Sequence, residues 1–293
     1  MPYVRDIAPV PVTPKQRQHG VALAGTVVVA VGAIVLLIVT FGMSGSAPAS
    51  GSVAASAVAY VATSAQRTLA QQTAEVTLSG TVQSAGVSVA VRGDGAINFT
   101  ANSMNFNFDA SFSGHALAES EVLTGGNLYL RSTVNGQGLN QLTGGRHWIR
   151  LPLVQSDPAT LTSGDPLAAL SVLEAQGDSL TSLGTENIDG ERCTGYAVTP
   201  SKQAMIAAAR QEFAKLGLSP AQVSAEVQIV QRTPPVTVTV WFDSHQLTRQ
   251  MSVAMQLSGV VGSGSVSAQM VVNFTHYGVP VHINAPAPSD TLS

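Results

Sequence analysis

The sequence predicts an α+β domain, with helices segregated to one face of an antiparallel sheet, carried behind a single N-terminal transmembrane helix. Three observations lead there. Residues Val21 to Phe41 contain no charged side chain. Two stretches, 76–112 and 236–274, alternate apolar and polar residues with the period of a strand. Before and between those stretches, apolar residues recur every three or four positions, as on one face of a helix.

The uncharged stretch is long enough to cross a bilayer, since its residues at ~1.5 Å each reach roughly 31 Å. Arg5, Lys15 and Arg17 precede it, and no further Lys or Arg occurs before Arg67. That asymmetry places residues 1–20 in the cytoplasm, makes 21–41 a single-pass signal-anchor in the cell membrane, and puts the rest outside. A rival reading is a cleaved signal peptide, because Ala47-Pro48-Ala49 has the small-x-small form of a cleavage site. Both readings export the same domain. Residues 42–52 are mostly Gly, Ala, Ser and Pro, the composition of a flexible linker, and 53–293 form the extracytoplasmic domain.

That domain opens with an amphipathic helix over about 53–73, its apolar stripe formed by Val58, Val61, Ala65 and Leu69. Half-buried strands follow: Val76, Leu78 and Val82, then Val87, Val89 and Val91, each alternating with small or polar residues. The sharpest alternation is Met104, Phe106, Phe108, Ala110 and Phe112 against Asn105, Asn107, Asp109 and Ser111. One face of such a strand is greasy and the other wet, the pattern of an antiparallel sheet. Gly93-Asp94-Gly95, Gly125-Gly126, Gly144-Gly145 and Gly262-Ser263-Gly264 read as hairpin turns between these runs.

The helical period returns after Asp165-Pro166, where Asp165 can cap and Pro166 occupy the first helical position ahead of Leu167, Leu170 and Leu173. A second helix follows Ser201, with Met205, Ile206, Ala209, Phe213 and Leu216 as its stripe and Gly217 as its stop. Pro220 starts a further short helical segment. The closing strands carry Val236, Val238, Val240 and Phe242, then Met251, Val253, Met255 and Leu257, then Val266, Met270, Val272 and Phe274. The segment Pro286 to Ser293 is expected to fray.

Charge and residue chemistry exclude several functions. After residue 49 there are 11 Lys and Arg against 16 Asp and Glu, with no basic cluster to meet phosphates, so nucleic acid is not an expected partner. Cys193 is the only cysteine, which rules out an internal disulfide and a cysteine-based zinc site; a small inert strand residue is the expectation for it. The exported histidines, His115, His147, His245, His276 and His282, show no metal-ligand spacing. The acid pairs Glu119 with Glu121 and Asp189 with Glu191 are expected to be solvated. No nucleophile elbow or phosphate-cradling loop is present. The chain is not expected to be an enzyme, with no catalytic residue, metal or cofactor assigned.

Several phrases, in order, resemble the LppX and LprG family of mycobacterial envelope lipoproteins, whose fold is related to the LolA and LolB lipoprotein carriers. They are Gly126-Asn127-Leu128-Tyr129-Leu130 ahead of Trp148, Asp165-Pro166-Leu167, the run from Gly184 to Tyr196, Trp241-Phe242-Asp243 before Leu247 and Arg249, and Tyr277-Gly278-Val279-Pro280-Val281. The resemblance covers most of 55–286. It implies an actinobacterial source and a curved antiparallel sheet, a half-barrel, whose concave apolar face is partly covered by helices around a cavity for acylated lipids or lipoglycans. The family's lipobox cysteine is missing near residues 40–50, so the helix replaces the lipid anchor.

The sequence itself sets large apolar residues on the strands and alanines at 204 and 207–209 on a covering helix. Small lids over large side chains leave space for an irregular apolar guest, and methionine adapts to one. The expected function is therefore cell-envelope lipid binding by Phe106, Phe108, Leu170, Met205, Phe213, Met255 and Met270. The alternative is an envelope interaction or sensor protein that uses the same fold with a packed core and contacts a protein partner.

Overall fold

The computed structural model describes residues 54–84, 87–112, 114–138, 144–152, 180–199, 202–203, 206–207, 210, 219–232, 234, 236–258 and 265–292. The expected cytoplasmic segment, membrane helix and linker lie outside the described residues, as do the helix after Asp165, the turn at Gly262, and Leu170, Met205 and Phe213.

Helix α1 spans Ala54–Ala70. It leads into five strands, β1 (Thr73–Ser84), β2 (Val87–Asn98), β3 (Ser103–Phe112), β4 (His115–Thr124) and β5 (Asn127–Val134). The two-residue β6 (Gln137–Gly138) and then β7 (Trp148–Pro152) follow. A hairpin of β8 (Leu180–Ile188) and β9 (Glu191–Val198) precedes the second helical stretch. There Lys202, Gln203, Ile206, Ala207 and Arg210 are helical, as the stripe after Ser201 predicts. Helix α2 (Pro220–Arg232) starts at the predicted proline. Strands β10 (Thr237–Phe242), β11 (Thr248–Ser258), β12 (Ser265–Thr275) and a short β13 (Thr291–Leu292) complete the chain.

The strands form one open sheet in the order β13-β7-β5-β4-β3-β2-β1-β12-β11-β10-β9-β8, with β6 paired to β5. Every pairing is antiparallel except the short one between β13 and β7. Sequential strands therefore pair as the turn chemistry predicts, and Gly125 and Gly126 make the β4–β5 turn with positive φ. The longest of the long-range joins is β1 to β12, ten residue pairs from Glu75 opposite Thr275 to Ser84 opposite Val266.

The period-two alternation converts directly into a buried apolar face. Val76, Leu78, Val82, Val89, Val91, Met104, Phe106, Phe108, Ala110, Val253, Met255, Met270, Val272 and Phe274 form one buried cluster. Helix α1 covers a different part of the same face, where Val61 packs with Tyr196, Val240 and Phe242.

Three expectations are corrected. Gly93-Asp94-Gly95 is no turn; it lies inside β2, with Gly93 opposite Phe108 and Gly95 opposite Phe106. A Cβ on Gly93 would stand 3.0 Å from the Phe108 ring, and one on Gly95 would stand 3.0 Å from the Phe106 ring. Glycine is needed here for close approach, because the Asn107 and Asn105 backbone carbonyls stand nearer still to those positions, with the rings beside them. Gly80 serves Met270 in the same way, with the thioether sulfur over it. The C-terminus is not frayed either. A 3₁₀ turn at Pro288–Asp290 leads into β13, and the His147 N–H donates to Asp290 Oδ1 at 3.1 Å. Satisfied backbone groups at a sheet edge hold this segment in place. Third, the stripe of α1 is rotated from the predicted one: Ser64 is fully buried and Thr68 nearly so.

That rotation has a polar cause. The Thr68 hydroxyl donates to the Ser64 carbonyl at 2.9 Å, meets the Thr248 hydroxyl at 3.1 Å, and accepts the Thr248 N–H at 3.0 Å. The last turns of α1 are thereby knitted to the start of β11. Next to it, Asp243 accepts the N–H groups of His245 (2.8 Å) and Leu247 (2.9 Å) and the Arg249 Nε at 2.8 Å. Its carboxylate is fully buried while Arg249 is partly exposed.

Two stability outcomes follow from this packing. Gly95→Val, which drives a branched side chain into the Phe106 ring and the Asn105 carbonyl, should lower the urea-unfolding free energy by about 1–3 kcal/mol. Asp243→Ala, which leaves Arg249 uncompensated and two N–H groups unpaired, should cost about 3–5 kcal/mol in the same measurement. An unchanged midpoint in either variant contradicts the corresponding packing argument.

Candidate functional site

Four of the seven residues predicted for a lipid site are described, and the structure brings them onto one face. Phe106, Phe108, Met255 and Met270 belong to the same buried cluster. The Phe106 and Phe108 rings stack at 5.1 Å between centroids and 15° between planes. They come from alternate positions of β3, so their side chains point the same way, and the glycines opposite leave the space beside them that a Cβ would take.

Register extends the site across the sheet. Phe108 pairs with Gly93, Gly93 with Leu78, Leu78 with Val272, Val272 with Met251, Met251 with Val240, and Val240 with Tyr196. Every residue in this cross-strand row is apolar or glycine. Residues directly opposite in antiparallel strands lie side by side on one face, so the row is a continuous apolar path from β3 to β9. Tyr196, Tyr60 and Phe242 end it in an aromatic cluster, with Tyr60 and Tyr196 centroids 5.6 Å apart. Among the described residues, the large cluster that contains the four site residues includes no helical residue.

Followed in the other direction, the same row turns acidic. Phe108 pairs with Glu119 and Phe106 with Glu121, so both glutamates stand on the apolar face beside the stacked rings. Here the expectation of solvated acids is corrected: Glu119 is 5% and Glu121 6% exposed. The signal was available in β4, where Leu117, Glu119, Glu121 and Leu123 share one phase of the alternation and the leucines mark that phase as the buried one. Burial, and after it the neighbouring Glu121 charge, push the Glu119 carboxyl up to about 8 against a hydrogen bond from Ser132 that opposes the shift. Burial alone pushes Glu121 up to about 7.

Elsewhere the titratable groups fall into structural roles. Cys193 is fully buried under Trp241 and Ile188 on the opposite face of the sheet, and burial, with Asp243 nearby, raises its thiol pKa, as suits an inert residue. Burial likewise holds the Tyr277 phenol well above its usual value, and its hydroxyl donates to the Thr248 carbonyl. His115, His147, His245, His276 and His282 are exposed. Two of them meet carboxylates, His147 with Asp290 at 2.6 Å and His276 with Glu75 at 2.8 Å; the hydrogen bond from His147 holds Asp290 below the usual carboxylate range. Asp189 and Glu191 are exposed at the β8–β9 turn, as expected. Among the described residues, no group of three or more His, Cys, Asp and Glu side chains is arranged to hold a metal ion.

The fold and its face define the class: a large open antiparallel sheet with few helices and one continuous buried apolar surface. No protein-family model matches the chain, and no curated protein sequence does. Among solved structures, it is similar to the Mycobacterium tuberculosis lipoprotein LppX, at 14% identity and a TM-score of 0.34 over 76% of this chain and 98% of that one. It is similar to LprF from Mycobacterium bovis, at 15% identity and a TM-score of 0.40 over 79% of this chain and 97% of that one. A DUF1329 family protein from Desulfovibrio piger is similar at 8% identity and a TM-score of 0.23, over 78% of this chain and 94% of that one. LppX, a mycobacterial lipoprotein, is of the kind the sequence phrases resemble.

The buried acids give the folded chain a distinctive pH response. Both carboxyls hold their protons more tightly when folded than at the unfolded value of 4.5. The folded state therefore binds more protons than the unfolded state between that value and about pH 8, so stability falls as pH rises through this window. The melting temperature should be several degrees higher near about pH 5.5 than near about pH 8.5, and Glu119→Gln with Glu121→Gln should remove most of that slope. Parallel melting curves for the two chains across the window contradict the assignment.

Proposed function

We propose that this chain is an envelope lipid-binding protein: a membrane-anchored domain outside the cytoplasm that holds an acyl chain of a lipid or lipoglycan between the concave apolar face of its sheet and the helices. Residues 21–41 are the anchor, with 1–20 cytoplasmic and 42–52 the linker to the domain at 53–293. The uncharged stretch and the basic residues ahead of it support this topology. The protein acts by binding, without catalysing a reaction.

The observation that carries the reading is the low floor of the apolar face. Phe106, Phe108 and Met270 are large side chains that come close over Gly95, Gly93 and Gly80, where a Cβ would meet them. A packed core gains most when such side chains stand up and interdigitate with a facing layer. Set close over glycines, they give a smooth apolar surface that suits an alkyl chain, and Met255 and Met270 add adaptable thioethers. Leu170, Met205 and Phe213 are the helix residues proposed to close over the guest.

The test is mass spectrometry of the organic extract from the purified full chain, beside a variant with Met205→Lys and Phe213→Lys. One equivalent of an acyl lipid in the natural chain, lost from a variant that keeps its circular dichroism spectrum, is the expected result. No retained lipid, together with a sharp thermal transition, would mean a fully packed core and would favour the envelope interaction role.

A further inference from the structure

The glutamate pair is foreign to the surface it occupies. On the two strands that flank the pair the apolar face carries no charged residue: β3 brings Phe106 and Phe108 against the pair, and β5 brings Leu130 and Ser132. Arg131, the nearest cation in sequence on β5, points to the opposite face, where it donates to the Ser120 hydroxyl at 3.1 Å. A buried carboxyl without a cation or a set of donors is costly, and more than nine in ten buried polar groups have a partner. Glu119 has the Ser132 hydroxyl. Glu121, more than nine-tenths buried beside the Phe106 ring, has no hydrogen-bond partner among the described residues.

That unpartnered group, on the face proposed to take the acyl chain, says what the other end of the guest must offer. A carboxyl can accept hydrogen bonds in either protonation state. Once ionised, the pair meets an ammonium or hydroxyl favourably, whereas an ionised carboxylate or phosphate brings only acceptors and like charge. The stacked rings of Phe106 and Phe108 lie directly beside the pair in register, so an alkyl chain along them delivers its polar end to the glutamates.

We propose that Glu119 and Glu121 form a polar anchor on the apolar face that binds the hydrogen-bond-donating end of an amphiphile, a hydroxyl or an ammonium, and disfavours anionic amphiphiles. This rests on the reading of that face as an acyl-chain site.

The experiment is calorimetric titration of the purified full chain with decanol, decylamine, decanoate and methyl decanoate at about pH 9, where both carboxyls, lifted by burial to about 8 and about 7, are mostly ionised. Decanol or decylamine should bind about tenfold more tightly than decanoate and the ester, and the stronger of the two identifies the source of the donor. Glu119→Gln with Glu121→Gln should erase that preference, because an amide offers N–H donors to the decanoate carboxylate; Glu121→Gln alone serves where the double variant does not fold. Equal affinity for all four probes, or an unchanged preference in the glutamine variants, overturns the anchor and leaves the acyl-chain site standing. Binding of none of them by a chain with an intact thermal transition overturns both.

Discussion

The pairing of β1 with β12 is the join on which the rest of the structure depends. Each strand by itself ends a local meander, β1 to β5 on one side and β8 to β12 on the other. Their ten-residue antiparallel register, with Val76 opposite Phe274 and Leu78 opposite Val272, merges two sheets that would each expose an edge into one. A slip of one residue would turn every one of these side chains to the other face. Closing so long a loop is entropically costly, and the burial of Val76, Leu78, Met270, Val272 and Phe274 at the join offsets it.

Two further consequences radiate from that join. The merged sheet has one apolar surface wide enough to run from β3 to β9, where either half alone would offer only a strip. The docking of α1 also depends on it, because Thr68 engages Thr248 at the start of β11, next to β12. Asp243 and Arg249 stiffen the turn that positions Thr248, so a buried ion pair far from the glutamates controls where the first helix sits. The chain after β12 is held at the far side of the sheet, where β13 pairs with β7 and Asp290 binds His147.

The candidate site unites two opposed chemistries on one face. Glycines opposite Phe106, Phe108 and Met270 make room for an apolar floor, and the neighbouring strand adds two carboxyls that would be cheaper in water. A polar pair retained in an apolar wall reduces stability at neutral pH, as the raised carboxyl pKa values express. Natural proteins accept such costs where binding needs them. The stability deficit and the proposed specificity are two readings of the same desolvated groups.

By itself the sequence determined the strands that carry Val76, Val89, Phe106, Val238, Val253 and Val272, and the phase that sets Phe106, Phe108, Met255 and Met270 on one buried face, because a strand's side-chain period is local and survives in the linear chain. It also determined the helix starts at the N-terminal segment and at Pro220, where a stripe or a proline speaks for itself. The tertiary structure decided what depends on a neighbour. Gly93 and Gly95 look like turn residues until Phe108 and Phe106 are seen close against them. Glu119 and Glu121 look solvated until β3 and β5 enclose their face, although the flanking Leu117 and Leu123 already marked the phase. Ser64 and Thr68 look like the wet side of a helix until Thr248 supplies their partner. Pro288 to Leu292 looks loose until β7 provides an edge to pair with. In each case a residue's burial was set by strands distant in the chain, and composition along one strand carries no record of which strand will lie across from it.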